Sequence, residues 1–113
     1  MKYSVEKINE VLVITLNGNL EGGPDTYKIK DEVTTALEAG SRKFVIDMGK
    51  ASFVNSTGIG VLVACYTSVT NSAGQIAVCS VSDKARRAFV VTGVWNLFQS
   101  YDSIEDAIAG FQE

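Results

Sequence analysis

Asp47-Met48-Gly49-Lys50-Ala51-Ser52-Phe53-Val54-Asn55-Ser56-Thr57-Gly58-Ile59-Gly60-Val61-Leu62 is the stretch in which one kind of element ends and another begins. Just upstream, Phe44-Val45-Ile46 is a short continuous apolar run closed by Asp47, the length and composition of a parallel strand buried on both faces. Downstream, Ile59, Leu62, Val63, Tyr66 and Val69 recur at helical spacing. That spacing predicts a helix from Ser56 to about Ser72, with Gly74 as its stop. A strand that passes through a loop at 48–55 into a helix is the first half of a βαβ unit, whose right-handed crossover returns the chain to a parallel neighbour.

Working outward, the same alternation fills the chain. Before it, Tyr3 to Ile8 alternates in strand fashion, Asn9-Glu10 supplies a two-residue turn, and Val11 to Leu16 is rich in β-branched residues, which together predict an N-terminal hairpin. Gly22-Gly23-Pro24 breaks the pattern, and Pro24 suits the first turn of a helix that runs to about Ala39 and stops at Gly40. Ile29, Val33, Ala36 and Leu37 mark its core face. After the central stretch, Gln75 to Val81 reads as a strand, and Ser82-Asp83 as the cap of a helix ending near Thr92-Gly93. Leu97 to Tyr101 reads as a short last strand, and Asp102-Ser103-Ile104-Glu105 as the start of a terminal helix to Phe111. The expected fold is one α/β domain spanning 1–113, with a mixed, mostly parallel sheet, an N-terminal hairpin and about four helices.

Composition agrees and removes several function classes. At 113 residues, 46% of them hydrophobic, the chain has the size of a single-core domain. A formal charge of −3 gives no countercharge for nucleic acid or an anionic membrane, so protein partners are expected. No apolar run approaches the ~20 residues of a membrane span, and Met1-Lys2-Tyr3-Ser4 does not open a signal peptide. A cytoplasmic location is expected. The chain contains no histidine, which removes the usual general base and every Ser-His or Cys-His nucleophile arrangement. Cys65 and Cys79, 14 positions apart without a histidine, do not form a zinc-site pattern and read as small buried hydrophobes. No enzymatic activity, resident metal or cofactor is expected.

The carboxyl end of a parallel strand is where open α/β sheets form binding sites. Ser56 lies at or near the N-cap of the helix, where its hydroxyl could accept an unpaired backbone N–H. Gly58 and Gly60 leave the first turn without side chains, so another backbone could approach closely. The plain reading competes with this one, since Asn and Ser are ordinary N-caps and the glycines could serve helix packing alone. Asn55-Ser56-Thr57-Gly58-Ile59-Gly60 lacks the Gly-Lys-Ser/Thr element of a phosphate-binding loop. Asp47 could hydrogen-bond the Ser56 loop or tie down its own turn. Lys84, Arg86 and Arg87 could meet an acidic partner or a phosphate, or form a solvated face. Trp95 and Phe98 read as core or edge packing.

Ser56-Thr57-Gly58-Ile59-Gly60-Val61-Leu62, with the lead-in Val45-Ile46-Asp47 and Phe53 and the turn Gly18-Asn19-Leu20-Glu21, resembles the STAS-domain anti-sigma-factor antagonists over almost the whole chain. The resemblance implies a partner that is an anti-sigma factor and a serine kinase, with ATP and Mg²⁺ on the partner. It makes Ser56 the phosphoacceptor whose modification switches binding off, and implies a serine phosphatase that restores it. It places the partner contact on Asn55, Thr57, Gly58, Ile59, Gly60 and Val61, together with Leu20 and Glu21. Where that family carries an aspartate before the phosphoacceptor, this chain has Asn55. The alternative that Asn55 suggests is a constitutive STAS scaffold or subunit of a signalling or lipid-transport complex, working without phosphorylation.

A phosphate adds about −1.5 to −2 charges and three acceptor oxygens. At a helix N-terminus its own fold tolerates it, because the dipole there favours anions by ~0.3–1 kcal/mol. In a close interface the same dianion must be desolvated, so release needs no large change of shape.

Overall fold

A computed structural model describes residues 2–111. Its elements follow in the order β1 (Tyr3–Ile8), β2 (Val11–Leu16), α1 (Pro24–Glu38), β3 (Lys43–Asp47), α2 (Ser56–Asn71), β4 (Gln75–Cys79), α3 (Asp83–Val91), β5 (Gln99–Tyr101) and α4 (Ile104–Phe111), with a single 3-10 turn at Trp95–Leu97. One five-stranded sheet runs in the order β1-β2-β3-β4-β5. Its first pair is antiparallel and the other three are parallel. The hairpin closes through Asn9 and Glu10, both at positive φ (50° and 66°), the backbone of a two-residue turn whose twist matches its strands.

The apolar runs of the central strands are buried on both faces, as parallel strands require. Ile14, Ile46 and Val78 stand side by side in the register and face the core under α1, α2 and α3. Their neighbours Val13, Val45 and Ala77 form the next row and face a second, smaller core under α4, with Ala107, Ile108 and Phe111. Thus, among the described residues, α4 is the helix that covers the face opposite the other three. The carboxyl ends of β3 and β4 open toward the starts of α2 and α3.

Three boundaries differ from the sequence expectation. Strand β4 ends at Cys79 rather than Val81, because Ser80 takes φ 57° and donates its N–H to the Tyr101 carbonyl. Residues 95–97 turn rather than extend. Trp95 and Phe98 close on Phe89, with ring centroids 5.8 and 5.7 Å away, and β5 starts only at Gln99. Finally, Gly74 follows the end of α2 without being its left-handed residue, a role taken by Ala73 at φ 61°. Gly74 is required for space, since a Cβ there would lie 2.5 Å from the Arg42 carbonyl oxygen.

Candidate functional site

The start of α2 is built by two loops that meet. The segment leaving β3 and the segment leaving β2 pair through a parallel bridge between Leu20 and Val54. Leu20 N–H donates to Phe53 O at 3.0 Å, and Asn55 N–H donates to Leu20 O at 3.1 Å. Asn19 secures the same pair from outside, its Oδ1 accepting from Phe53 N–H and Ser52 Oγ, each at 3.1 Å. Leu20 itself is fully buried.

Asn55 is the N-cap. Its backbone is extended (φ −94°, ψ 179°) and its Oδ1 accepts the Gly58 N–H at 2.9 Å, satisfying one of the donors a helix start leaves unpaired. Its Nδ2 donates to the Glu21 carbonyl at 2.7 Å. The carboxamide therefore ties α2 to the loop before α1. That loop is held from its far side by Thr26, buried and engaged reciprocally with Gly22: Gly22 N–H donates to Thr26 Oγ1 (3.2 Å) and Thr26 Oγ1 donates to Gly22 O (3.1 Å).

Ser56 is accordingly the first helical residue and not the cap. The backbone bond its hydroxyl was expected to accept is made by Asn55 instead. Ser56 is exposed, and among the described residues its Oγ takes part in no hydrogen bond. Thr57, also exposed, borders Gly22.

The eight expected contact residues separate into two groups by burial. Glu21, Thr57 and Gly60 are exposed and Asn55 is half-buried. Leu20, Gly58, Ile59 and Val61 are buried and shape the surface from beneath. A Cβ on Gly58 would collide with the Leu20 carbonyl oxygen and lie 2.9 Å from Leu20 Cγ, so this glycine is needed for packing. Around Gly60 there is nothing within 4 Å of such a Cβ. Asp47 is not brought to Ser56. Its Oδ1 accepts the Gly49 N–H at 3.0 Å, which ties down its own turn.

Between α2 and α3 the surface opens into a groove of about 410 Å³. Phe53, Ser56 and Ile59 form one wall, and Lys84, Arg87 and Val91 belong to the other. Val91 is 79% exposed and gives the groove an open aliphatic edge. The Lys84 ammonium stands 5.2 Å from the centre of the Phe53 ring. The basic cluster seen in the sequence is thereby divided: Lys84 and Arg87 line the groove, whereas Arg86 reaches Asp83 at 4.0 Å on the exposed helix surface. Sequence reasoning missed the apolar half of the groove, because Ala88 and Val91 read as ordinary helix residues until α3 is laid beside α2.

Neither cysteine offers a reactive thiol. Burial pushes Cys65 up to about 12, and burial followed by the nearby Asp47 charge pushes Cys79 to about 12. Among the described residues no group of three or more acidic or cysteine side chains could hold a metal. No helix among them is long and apolar enough to cross a membrane.

Residues 2–107 match the family model described as the STAS domain. The chain belongs to the STAS domain family. The candidate anti-sigma factor antagonist BtrV of Bordetella bronchiseptica is 24% identical over 112 residues, covering 99% of this chain and 96% of its own. Among solved structures, the anti-sigma factor antagonist SpoIIAA in its unphosphorylated form superposes with a TM-score of 0.84 at 21% identity, covering 97% of this STAS domain and 96% of SpoIIAA. The phosphorylated form of SpoIIAA, a Bacillus cell fate determinant, superposes with a TM-score of 0.76 at 22% identity, covering 96% and 98%. At these identities the likeness of the structures is one of fold. The STAS architecture expected from Ser56 to Leu62 and from the N-terminal hairpin is the one observed.

Proposed function

We propose that this STAS domain is an anti-sigma-factor antagonist that works in the cytoplasm by being bound. Its partner is an anti-sigma factor with serine-kinase activity, which docks on the α2 start and the loop before α1. Within the complex the γ-phosphoryl group of the partner's ATP, held with Mg²⁺ on the partner, passes to Ser56 Oγ: the new P–O bond forms as the bond to the departing ADP breaks, and the hydroxyl proton goes to a base on the partner. The resulting dianion breaks the contact, and a serine phosphatase removes it by hydrolysis and restores binding.

The observation that carries this reading is the division of roles between Asn55 and Ser56. Because Asn55 caps the helix, the Ser56 hydroxyl is exposed and uncommitted at the first helical position. A phosphate there sits in the favourable field of the helix N-terminus, so modification leaves the fold intact. A bound partner would have to desolvate that dianion, which is costly without a countercharge. Glu21, Thr57 and Gly60 supply the exposed contact around it.

Incubation with the cognate kinase and ATP, followed by mass spectrometry, tests this directly. One phosphate on Ser56, absent from Ser56→Ala, is the expected result. Modification at another residue would overturn this reading, and binding of the partner that is indifferent to Ser56→Glu would instead identify a constitutive scaffold.

A further inference from the structure

We propose that Lys84 and Arg87 form a receptor, within the same chain, for a phosphomonoester on Ser56. This rests on the reading of Ser56 as phosphoacceptor and adds a regulatory part to it. The chain carries a net charge of −3, yet α3 places Lys84, Arg86 and Arg87 within four positions. Arg86 is paired with Asp83, whereas among the described residues neither Lys84 nor Arg87 has a carboxylate within 4.0 Å. Both unpaired cations line the groove that Ser56 also lines.

Their position relative to Ser56 is fixed by two contacts. Ser82 caps α3 by accepting the Ala85 N–H at 3.1 Å, and its Oγ donates to the Ser52 carbonyl at 3.3 Å, anchoring the helix start to the loop that leads into α2. The Lys84 ammonium already leans over that loop, onto the ring of Phe53, three residues before Ser56. Both cations are exposed and free to swing toward Ser56, and two like charges held on one helix face act together on a dianion. A phosphate on Ser56 brings three acceptor oxygens. Arg87 can meet two of them with its planar fork, and Lys84 can meet the third as a point charge.

Capture has a consequence for binding. With the phosphate in place, the two basic side chains lie across the groove between Phe53 and Val91, so modification removes an apolar surface as well as adding charge. The switch is then partly an occlusion.

The test needs no partner. Phosphoserine is installed at position 56 by genetically encoded incorporation, and its phosphate is titrated by ³¹P NMR. In the otherwise native chain the second ionisation should fall below the ordinary value of about 6. In Lys84→Met/Arg87→Met it should rise by about one unit, a tenfold change in proton affinity. Arg87→Lys should fall between them, and Arg86→Met should leave the native value unchanged. Identical titrations of native and double-variant chains would overturn the receptor, as would an equal effect of Arg86→Met, which would reveal only a diffuse field. Thermal unfolding of each chain with and without the phosphate provides a second readout, with the phosphate stabilising the native chain more than the double variant. A kinase that fails to modify Ser56 would overturn the proposed function and leave this titration intact. Identical titrations would leave the kinase result intact.

Discussion

The Asn55 carboxamide donates to the Glu21 carbonyl at 2.7 Å while accepting from Gly58, so one side chain joins segments 34 residues apart and caps a helix. Both functions of the amide are in use. Aspartate at this position would keep the acceptor but lose the donor, and would set a carboxylate against a carbonyl oxygen. The lost hydrogen bond costs about 0.5–1.5 kcal/mol, and the helix dipole returns about 0.3–1. Asn55→Asp is therefore expected to cost less than about 1 kcal/mol, and Asn55→Ala, which loses cap and tether together, about 2 kcal/mol. Urea unfolding of the two variants distinguishes them: equal losses would show that the cap on Gly58 contributes nothing, and an Asn55→Asp variant as stable as native would show the same of the tether to Glu21.

Gly58 and Gly60 look alike in the sequence and differ in surroundings. Gly58→Ala must displace Leu20 and the bridge it makes to Val54, with an expected loss of 1–3 kcal/mol, roughly that of overpacking a core. Gly60→Ala enters open space on an exposed helix turn and should gain about 0.5–1 kcal/mol. If Gly60 lies against the partner, that stabilised variant should bind the kinase at least tenfold more weakly. Thermal unfolding and calorimetric titration read the two effects separately.

Ser56→Glu should leave the fold undisturbed, within about 0.5 kcal/mol of native or slightly above it, because the charge falls in the first turn of α2. Partner binding by the same variant should drop by an order of magnitude or more. A loss of stability large enough to account for the lost binding would contradict the role given to Asn55 as cap.

The buried thiols set an alkaline limit. Both cysteines have their folded values raised to about 12, above the ordinary thiol value of about 8.5 in the unfolded chain. Below that value both states are protonated and the contribution to stability is complete. As pH rises through it the unfolded chain ionises first, so stability is lost progressively between about pH 8.5 and 12. Folded protein should resist alkylation by iodoacetamide at pH 8 and react at two sites in denaturant. Unfolding free energies that stay level from pH 8 to 10.5 would refute the shift.

Much of this fold is legible in the residues because the decisive signals are local. Phe44-Val45-Ile46 has no polar residue to spare for solvent, and Ile59, Leu62, Val63, Tyr66 and Val69 keep helical time. What is hidden is decided by contacts across the chain. Leu97-Phe98 is apolar enough to extend into a strand, yet the rings of Trp95 and Phe98 close around Phe89 and turn the backbone first. Asn55 and Ser56 are equally good caps in isolation. The partner that ranks them, the Glu21 carbonyl, lies 34 residues earlier. The groove behind Ser56 likewise exists only once α3 lies beside α2. The neighbourhood of the site can thus be read from the sequence, but the distribution of roles within it cannot.

Capping by Asn55 leaves the side chain at position 56 with no duty in holding the molecule together. Chemistry at that point can therefore change without renegotiating the architecture around it: serine to threonine, to a permanent negative charge, or to a cysteine carrying a spectroscopic label should all be accommodated by one scaffold. A laboratory can exploit this freedom to install a reporter where the partner is expected to land.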